Sequence, residues 1–140
     1  MGYEFVIDTY AWIEYFRGSA EGEIARECID GHNIATPSIV VLELRKNLLR
    51  KIYEGKETVK GAEKRMNFVR LNSTIIDLDY HTSMKSAELD LEMKKKVKGW
   101  GIADSIVLAT ARELNAKVVT GDKHFRGVKE AVMISNNKDY

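Results

Sequence analysis

Short apolar runs alternate along the chain with longer stretches in which apolar positions recur every three to four residues. The runs are Phe5–Ile7, residues 34–36, Thr74–Ile76, Lys117–Thr120 and residues 132–134. Runs this short and this apolar predict strands buried on both faces. The periodic stretches predict helices. Thr9–Arg17 stops at Gly18 and Ala20–Ile29 stops at Gly31. Ser38–Tyr53 takes Ser38 as its N-cap, residues 57–71 precede Asn72, Tyr80–Lys96 is capped by Asp79, and Ile102–Leu114 stops at Asn115. These boundaries rest on side chains that satisfy the first amides of a helix and on residues that tolerate a left-handed end. Strands alternating with helices predict an α/β fold with a parallel sheet covered on both faces. In such sheets the functional crevice opens beyond the carboxyl ends of the strands.

Composition narrows the class. The chain has 140 residues, 44% hydrophobic and 31% charged, which is the profile of a globular domain. It holds one proline, Pro37, and no low-complexity linker, so residues 1–140 read as a single domain. The net charge of +1 argues for no nucleic-acid partner by itself, though a local basic patch is compatible with it. A lone cysteine, Cys28, excludes an intrachain disulfide and reads as a buried small hydrophobe. The first apolar run is too short for a signal peptide or a membrane span, so a cytoplasmic protein without membrane contact is expected.

The acids fall at places where acids are conspicuous. Asp8 directly follows the first run, and Asp122 follows Lys117–Thr120 across Gly121, so both sit at the carboxyl edge of the expected sheet. Asp104 shares a helical stripe with Val107, Leu108 and Ala111, and a carboxylate on an apolar stripe is costly unless compensated. Glu43 is ambiguous. A helical wheel puts Leu44, Leu48 and Ile52 on the far side from it, with Asn47 and Arg50 on its own. Each acid also has a purely structural reading: Asp8 as a cap, Asp122 as a turn residue, Asp104 as a partner for the helix macrodipole, Glu43 as an exposed side chain. Together they carry more. At about 5 Å and an effective dielectric near 20, each carboxylate pair repels by roughly 3 kcal/mol. A converging set therefore needs a cation or raised pKa values. Oxygen ligands suit Mg²⁺ or Mn²⁺, and a hard divalent ion held by carboxylates is a device for hydrolysing phosphodiesters.

Four segments, VIDTYAWIEYF with Asp8, PSIVVLEL with Glu43, ADSIVLATA with Asp104 and VVTGDKHF with Asp122, make the chain resemble the PIN domain ribonucleases, most of all the VapC-type toxins of toxin–antitoxin pairs. The resemblance runs nearly end to end. It implies a three-layer α/β/α fold around a central parallel sheet of about five strands. It implies one or two Mg²⁺ or Mn²⁺ ions held by Asp8, Glu43, Asp104 and Asp122, with Thr9 and Thr120 supporting them by hydrogen bonds. It also implies cleavage of RNA, a small antitoxin partner and a homodimer. A PIN nuclease of RNA processing or decay, without an antitoxin, fits the same motifs. A phosphoacceptor receiver domain would need an acidic pair near the first strand, where Asp8 stands alone, and Asp77 lacks the rest of that pattern.

Other residues read less sharply. Trp12 and Phe16 share one face of the first helix at i, i+4, beside Tyr10 and Tyr15. They are candidates for an antitoxin surface, for core packing or for a homodimer contact. His32, His81 and His124 lack the spacing of a helical zinc site; His124, two residues after Asp122, is placed to face the cleft but reads first as a surface or turn histidine. The run Lys94, Lys95, Lys96 and Lys98 reads equally as a solvated helix end or as a phosphate-contact patch.

Overall fold

The computed structural model describes residues 2–135. Five strands form one parallel sheet: β1 (Phe5–Ile7), β2 (Ile34–Pro37), β3 (Thr74–Ile76), β4 (Lys117–Thr120) and β5 (Ala131–Met133). Their order across the sheet is β3-β2-β1-β4-β5, which places the first strand at the centre. Six helices connect them: α1 (Thr9–Arg17), α2 (Ala20–Ile29), α3 (Ser38–Tyr53), α4 (Val59–Asn72), α5 (Tyr80–Lys96) and α6 (Ile102–Leu114). The expected α/β fold with a five-stranded parallel sheet is therefore the fold observed.

The central strands are apolar because they have no open face. Val6, Ile7, Val118 and Val119 are fully buried, and β2 is buried along its whole length. The edge strands differ from expectation. β3 and β5 are only partly covered, since a strand at the sheet edge has a neighbour on one side alone. β5 also begins one residue earlier than the apolar pattern suggested, with Ala131 paired to Val118.

Most helix ends follow local chemistry. Asp79 accepts from the Thr82 amide at 2.8 Å, and Asn115 closes α6 in the left-handed region at φ 54°. Two starts shift. Pro37 is the N-cap of α3, with Ser38 already helical, because the proline ends β2 and its fixed φ of −62° leads straight into the helix. α4 begins at Val59 rather than near residue 57, because the Thr58 hydroxyl accepts from the Gly61 amide at 2.9 Å while Glu57 is drawn away to Arg65 at 2.6 Å. Cys28 is half-buried on α2 rather than enclosed. No helix among the described residues is long and apolar enough to cross a membrane.

Candidate active site

The chain turns to opposite sides of β1, so a crevice opens at the carboxyl ends of β1 and β4. The two strands are in register, Ile7 against Val119, and the Asp8 amide continues the ladder by donating to the Val119 carbonyl at 3.2 Å. Asp8 and Asp122 are thereby delivered to one end of the sheet. β2, on the other side of β1, feeds α3 and brings Glu43. The first turn of α6 brings Asp104. All four acids and Thr9 line a single cleft of about 620 Å³.

Each aspartate is fixed by a backbone amide. The Ala11 amide donates to Asp8 Oδ1 at 2.9 Å, the Gly101 amide to Asp104 Oδ2 at 3.0 Å, and the His124 amide to Asp122 Oδ1 at 2.9 Å. The structural readings of these acids as caps and turn residues are thus borne out; one carboxylate oxygen does that work while the group lines the cleft. Thr9 donates to Glu43 Oε1 at 2.6 Å, which ties α1 to α3 across the cleft. The buried Thr120 hydroxyl accepts from the Asp122 amide at 3.0 Å and hydrogen-bonds the Asp8 carboxylate.

Asp8 is only 7% exposed. Burial pushes its pKa from 3.8 to about 7, against the lowering effect of the Thr120 and Ala11 hydrogen bonds, and Asp122 and Asp104 push it further up. Asp104 is also raised, mainly by burial and then by Asp122, while the Gly101 amide and His124 pull it down. The causes that act on Asp8 include no positive partner.

His124 belongs to the cluster. Its Nδ1 lies 3.2 Å from Asp104 Oδ2 and 3.3 Å from Asp122 Oδ1. Asp104, Asp122 and His124 offer ligand atoms within 4.8 Å of one another, a set that could hold a metal ion. Asp8 and Glu43 line the same cleft but stand outside that set. Sequence reasoning ranked a surface or turn histidine above a cleft-facing one at His124, although the spacing D-x-H at a strand end was a signal. What turns it inward is a loop far away in sequence. Gly99, at φ +85°, leaves room for the His124 ring: a Cβ there would meet Nε2 at 3.0 Å. The next residue, Trp100, lies against Phe125 with ring centroids 5.1 Å apart.

Trp100 also anchors the Asp104 side of the site. Its Nε1 donates to Ser105 Oγ at 2.7 Å, and Ser105 donates to Asp90 Oδ1 at 2.9 Å. Lys94 donates to Asp90 Oδ2 at 2.6 Å. Asp90 is as covered as Asp8 but lies close to the surface beside the half-exposed Lys94, and these donors, Lys94 first, hold its pKa below the ordinary value. The basic run near Trp100 is thus in part structural: Lys94 pairs with Asp90 and Lys96 with Glu92.

The aromatic helix divides. Trp12 is fully buried, its Nε1 donating to Thr36 Oγ1 at 3.1 Å, so the expectation that it forms a partner surface is corrected: it is core. Phe68 of α4 covers the side that looked too aromatic for water, packing against Trp12, Tyr15 and Phe16. Phe16 remains partly exposed and lines a small groove of about 110 Å³ between α1, α3 and α4.

Comparison with known proteins follows the same lines. Residues 5–131 match the family described as PIN domain. No curated protein sequence matches the chain. Among solved structures, a toxin–antitoxin complex from Klebsiella pneumoniae is similar at 22% identity and a TM-score of 0.73, covering 96% of this chain and 100% of that one. VapBC2 from Rickettsia felis, bound to a DNA fragment from its promoter, is similar at 18% identity and a TM-score of 0.69, covering 92% and 96%. Mycobacterium tuberculosis VapC20, described as a sarcin-ricin loop cleaving toxin, is similar at 15% identity and a TM-score of 0.69, covering 89% and 94%.

Proposed function

The chain belongs to the PIN domain family, and from that premise we propose that it is a metal-dependent endoribonuclease, the toxin of a VapBC-type toxin–antitoxin pair acting in the cytoplasm. The observation that carries the reading is the convergence of Asp8, Glu43, Asp104 and Asp122, from four separate elements, on one cleft. Repulsion on that scale is tolerated at functional sites and selected against elsewhere.

The donor set fits Mg²⁺ or Mn²⁺, as one ion or two. The oxygens of Asp104 and Asp122 that accept no backbone amide are free to ligate, with Asp8 and Glu43 completing an oxygen-rich wall and His124 adding one nitrogen. Such an ion, when bound, neutralises charge on the phosphoryl oxygens and makes water more acidic. The protein's own contribution is positional. Thr120 and the capping amides hold Asp8, Asp104 and Asp122 in place, so little reorganisation accompanies the reaction. Thr9 fixes one oxygen of Glu43 and leaves the other to orient the attacking water or take its proton.

Similarity to solved toxin–antitoxin complexes supports a small antitoxin partner. Leu42 and Ile102, 59% and 54% exposed at the cleft, together with Phe16 in the neighbouring groove, supply apolar surface for it. The test is cleavage of single-stranded RNA. Activity should vanish in chelator and return with Mg²⁺ or Mn²⁺; undiminished cleavage in chelator would overturn the mechanism.

A further inference from the structure

Most basic side chains around the groove and on α5 and α6 are already engaged. Arg17 pairs with Glu14, Lys56 with Glu54, Arg65 with Glu57, and Arg112 with Glu130. Two cations in the acidic cleft are not. Lys46 and Arg50 are exposed, line the cleft beside Glu43, and make no ion pair or side-chain hydrogen bond with any described residue. They are not drawn onto Glu43, whose Oε1 is occupied by Thr9.

Their placement is regular. Lys46 and Arg50 lie at i, i+4, so they project from one face of α3, about 6 Å apart along its axis. Glu43 is one turn before Lys46 on that face, and Asn47 carries the lining on into the groove that holds Phe16. The helix therefore presents a line that starts at the acids and leads away from them through two free positive charges.

The cleft offers little else to grip a nucleic acid. Of its two aromatic rings, Phe125 is buried against Trp100 and Tyr10 is half-buried with an edge against Gly121. Base stacking, the usual grip on single strands, thus has no fully exposed ring among the described cleft residues. Charge is the larger resource.

We infer that Lys46 and Arg50 form a phosphate rail, binding the RNA backbone on one side of the cleaved bond and guiding the strand into the acids. The inference rests on the ribonuclease reading above and assigns the backbone-contact residues for that reaction. Contacts to phosphate position a strand and carry no sequence information, so the rail makes binding tolerant of sequence.

The experiment measures affinity for labelled single-stranded RNAs of several sequences, in Mg²⁺, with Asp104→Asn as the non-cleaving parent. Salt is varied between about 50 and 200 mM, over which phosphate contacts declare themselves as a slope of about 0.7 per contact for single strands. Adding Lys46→Ala and Arg50→Ala should lower the slope by about 1.4 and weaken binding on the order of 25-fold at 0.1 M salt, equally for every sequence. Lys117→Ala with Lys129→Ala removes the same charge at the opposite, amino edge of the sheet, outside the cleft, and should leave the slope unchanged. Where the parent binds too weakly, the salt dependence of kcat/KM in the active chain reads the same quantity. An unchanged slope in the α3 pair, or an equal fall in both pairs, overturns the rail and leaves the nuclease reading standing. Retained RNA binding with loss of an inhibiting protein partner assigns the stripe to that partner and also overturns it. A wild-type chain that neither binds nor cleaves RNA with Mg²⁺ or Mn²⁺ removes the nuclease reading, and the rail with it.

Discussion

Asp8 and Asp90 are similarly covered, 7% and 8% exposed, but Asp8 lies deep, where burial raises its pKa, whereas Asp90 lies close to the surface, where Lys94 lowers its own. Asp90 sits between α5 and α6 with Lys94 and the Ser105 hydroxyl on its two oxygens. Asp8 has an amide, a hydroxyl and two further carboxylates, and no cation. Low exposure alone therefore does not set the direction of the shift; depth beneath the surface and the partners do. One region uses its polar groups to hold two helices together; the other gathers carboxylates whose burial and mutual repulsion raise Asp8 and Asp104.

That contrast is breakable by experiment. The largest effect is expected on activity. Residues that merely orient metal ligands are worth about 10–100-fold, so losing a ligand should cost more than that. Asp8→Asn or Asp104→Asn should abolish RNA cleavage beyond the 100-fold level while leaving the melting temperature in chelator equal or higher, since a buried repulsion is removed. Asp90→Ala should do the reverse, lowering the melting temperature while activity per folded molecule stays within a few-fold. If Asp90→Ala abolished cleavage in chains shown to be folded, the two regions would not be separable.

Metal comes next in size. A ligand at about 100 times its dissociation constant adds roughly 2.7 kcal/mol to stability. Thermal unfolding with saturating Mn²⁺ should shift upward by several degrees in the wild-type chain and by much less in Asp104→Asn. An equal shift in both would place the ion elsewhere.

The pH dependence is smaller and more diagnostic. In the folded, metal-free chain Asp8 keeps its proton to about pH 7, whereas the unfolded chain releases it near 3.8. Between those values the folded state binds more protons, so this stabilising contribution is complete below the unfolded value and is lost as pH rises through the folded one. The gap in melting temperature between Asp8→Asn and wild type should therefore widen from pH 4 toward pH 7 in chelator, a range bounded by those two values. Parallel curves would mean that Asp8 is not raised. Asp90 has the opposite sign: its contribution is present above the ordinary carboxylate value and fades in acid.

The smallest effect concerns the link between the regions. Trp100→Phe keeps the ring against Phe125 and removes the donor to Ser105, a loss of about 1 kcal/mol. Urea unfolding should detect it. Activity should change little, because the Gly101 amide still holds Asp104.

Asp8 and Asp122 were legible in the sequence because a strand end is a local signal: an apolar run stops and an acid follows. Asp104 was legible because Val107, Leu108 and Ala111 define a stripe, and all three are buried. Glu43 was not legible from periodicity. Its face of α3 carries Lys46, Asn47 and Arg50, which is how a solvent face looks, and only its place opposite Thr9 gives it a cleft. Family resemblance supplied what the wheel could not. His124 and Trp12 went astray for one common reason. Whether a side chain faces a cleft, a core or water is decided by an element distant in sequence, Gly99 and Trp100 for the first and Phe68 for the second. Asp90 escaped notice because its compensation, Lys94 at i+4, reads as an ordinary surface pair.

The capping role of the three aspartates bears on how such a gene decays. Asparagine caps about as well as aspartate, because its side-chain oxygen accepts the same amide, whereas alanine forfeits about 1 kcal/mol. Asparagine is one of several residues a single base away from aspartate, and it is the one that keeps the cap. At Asp8 that change leads to a chain that still folds and still starts α1 in the same place.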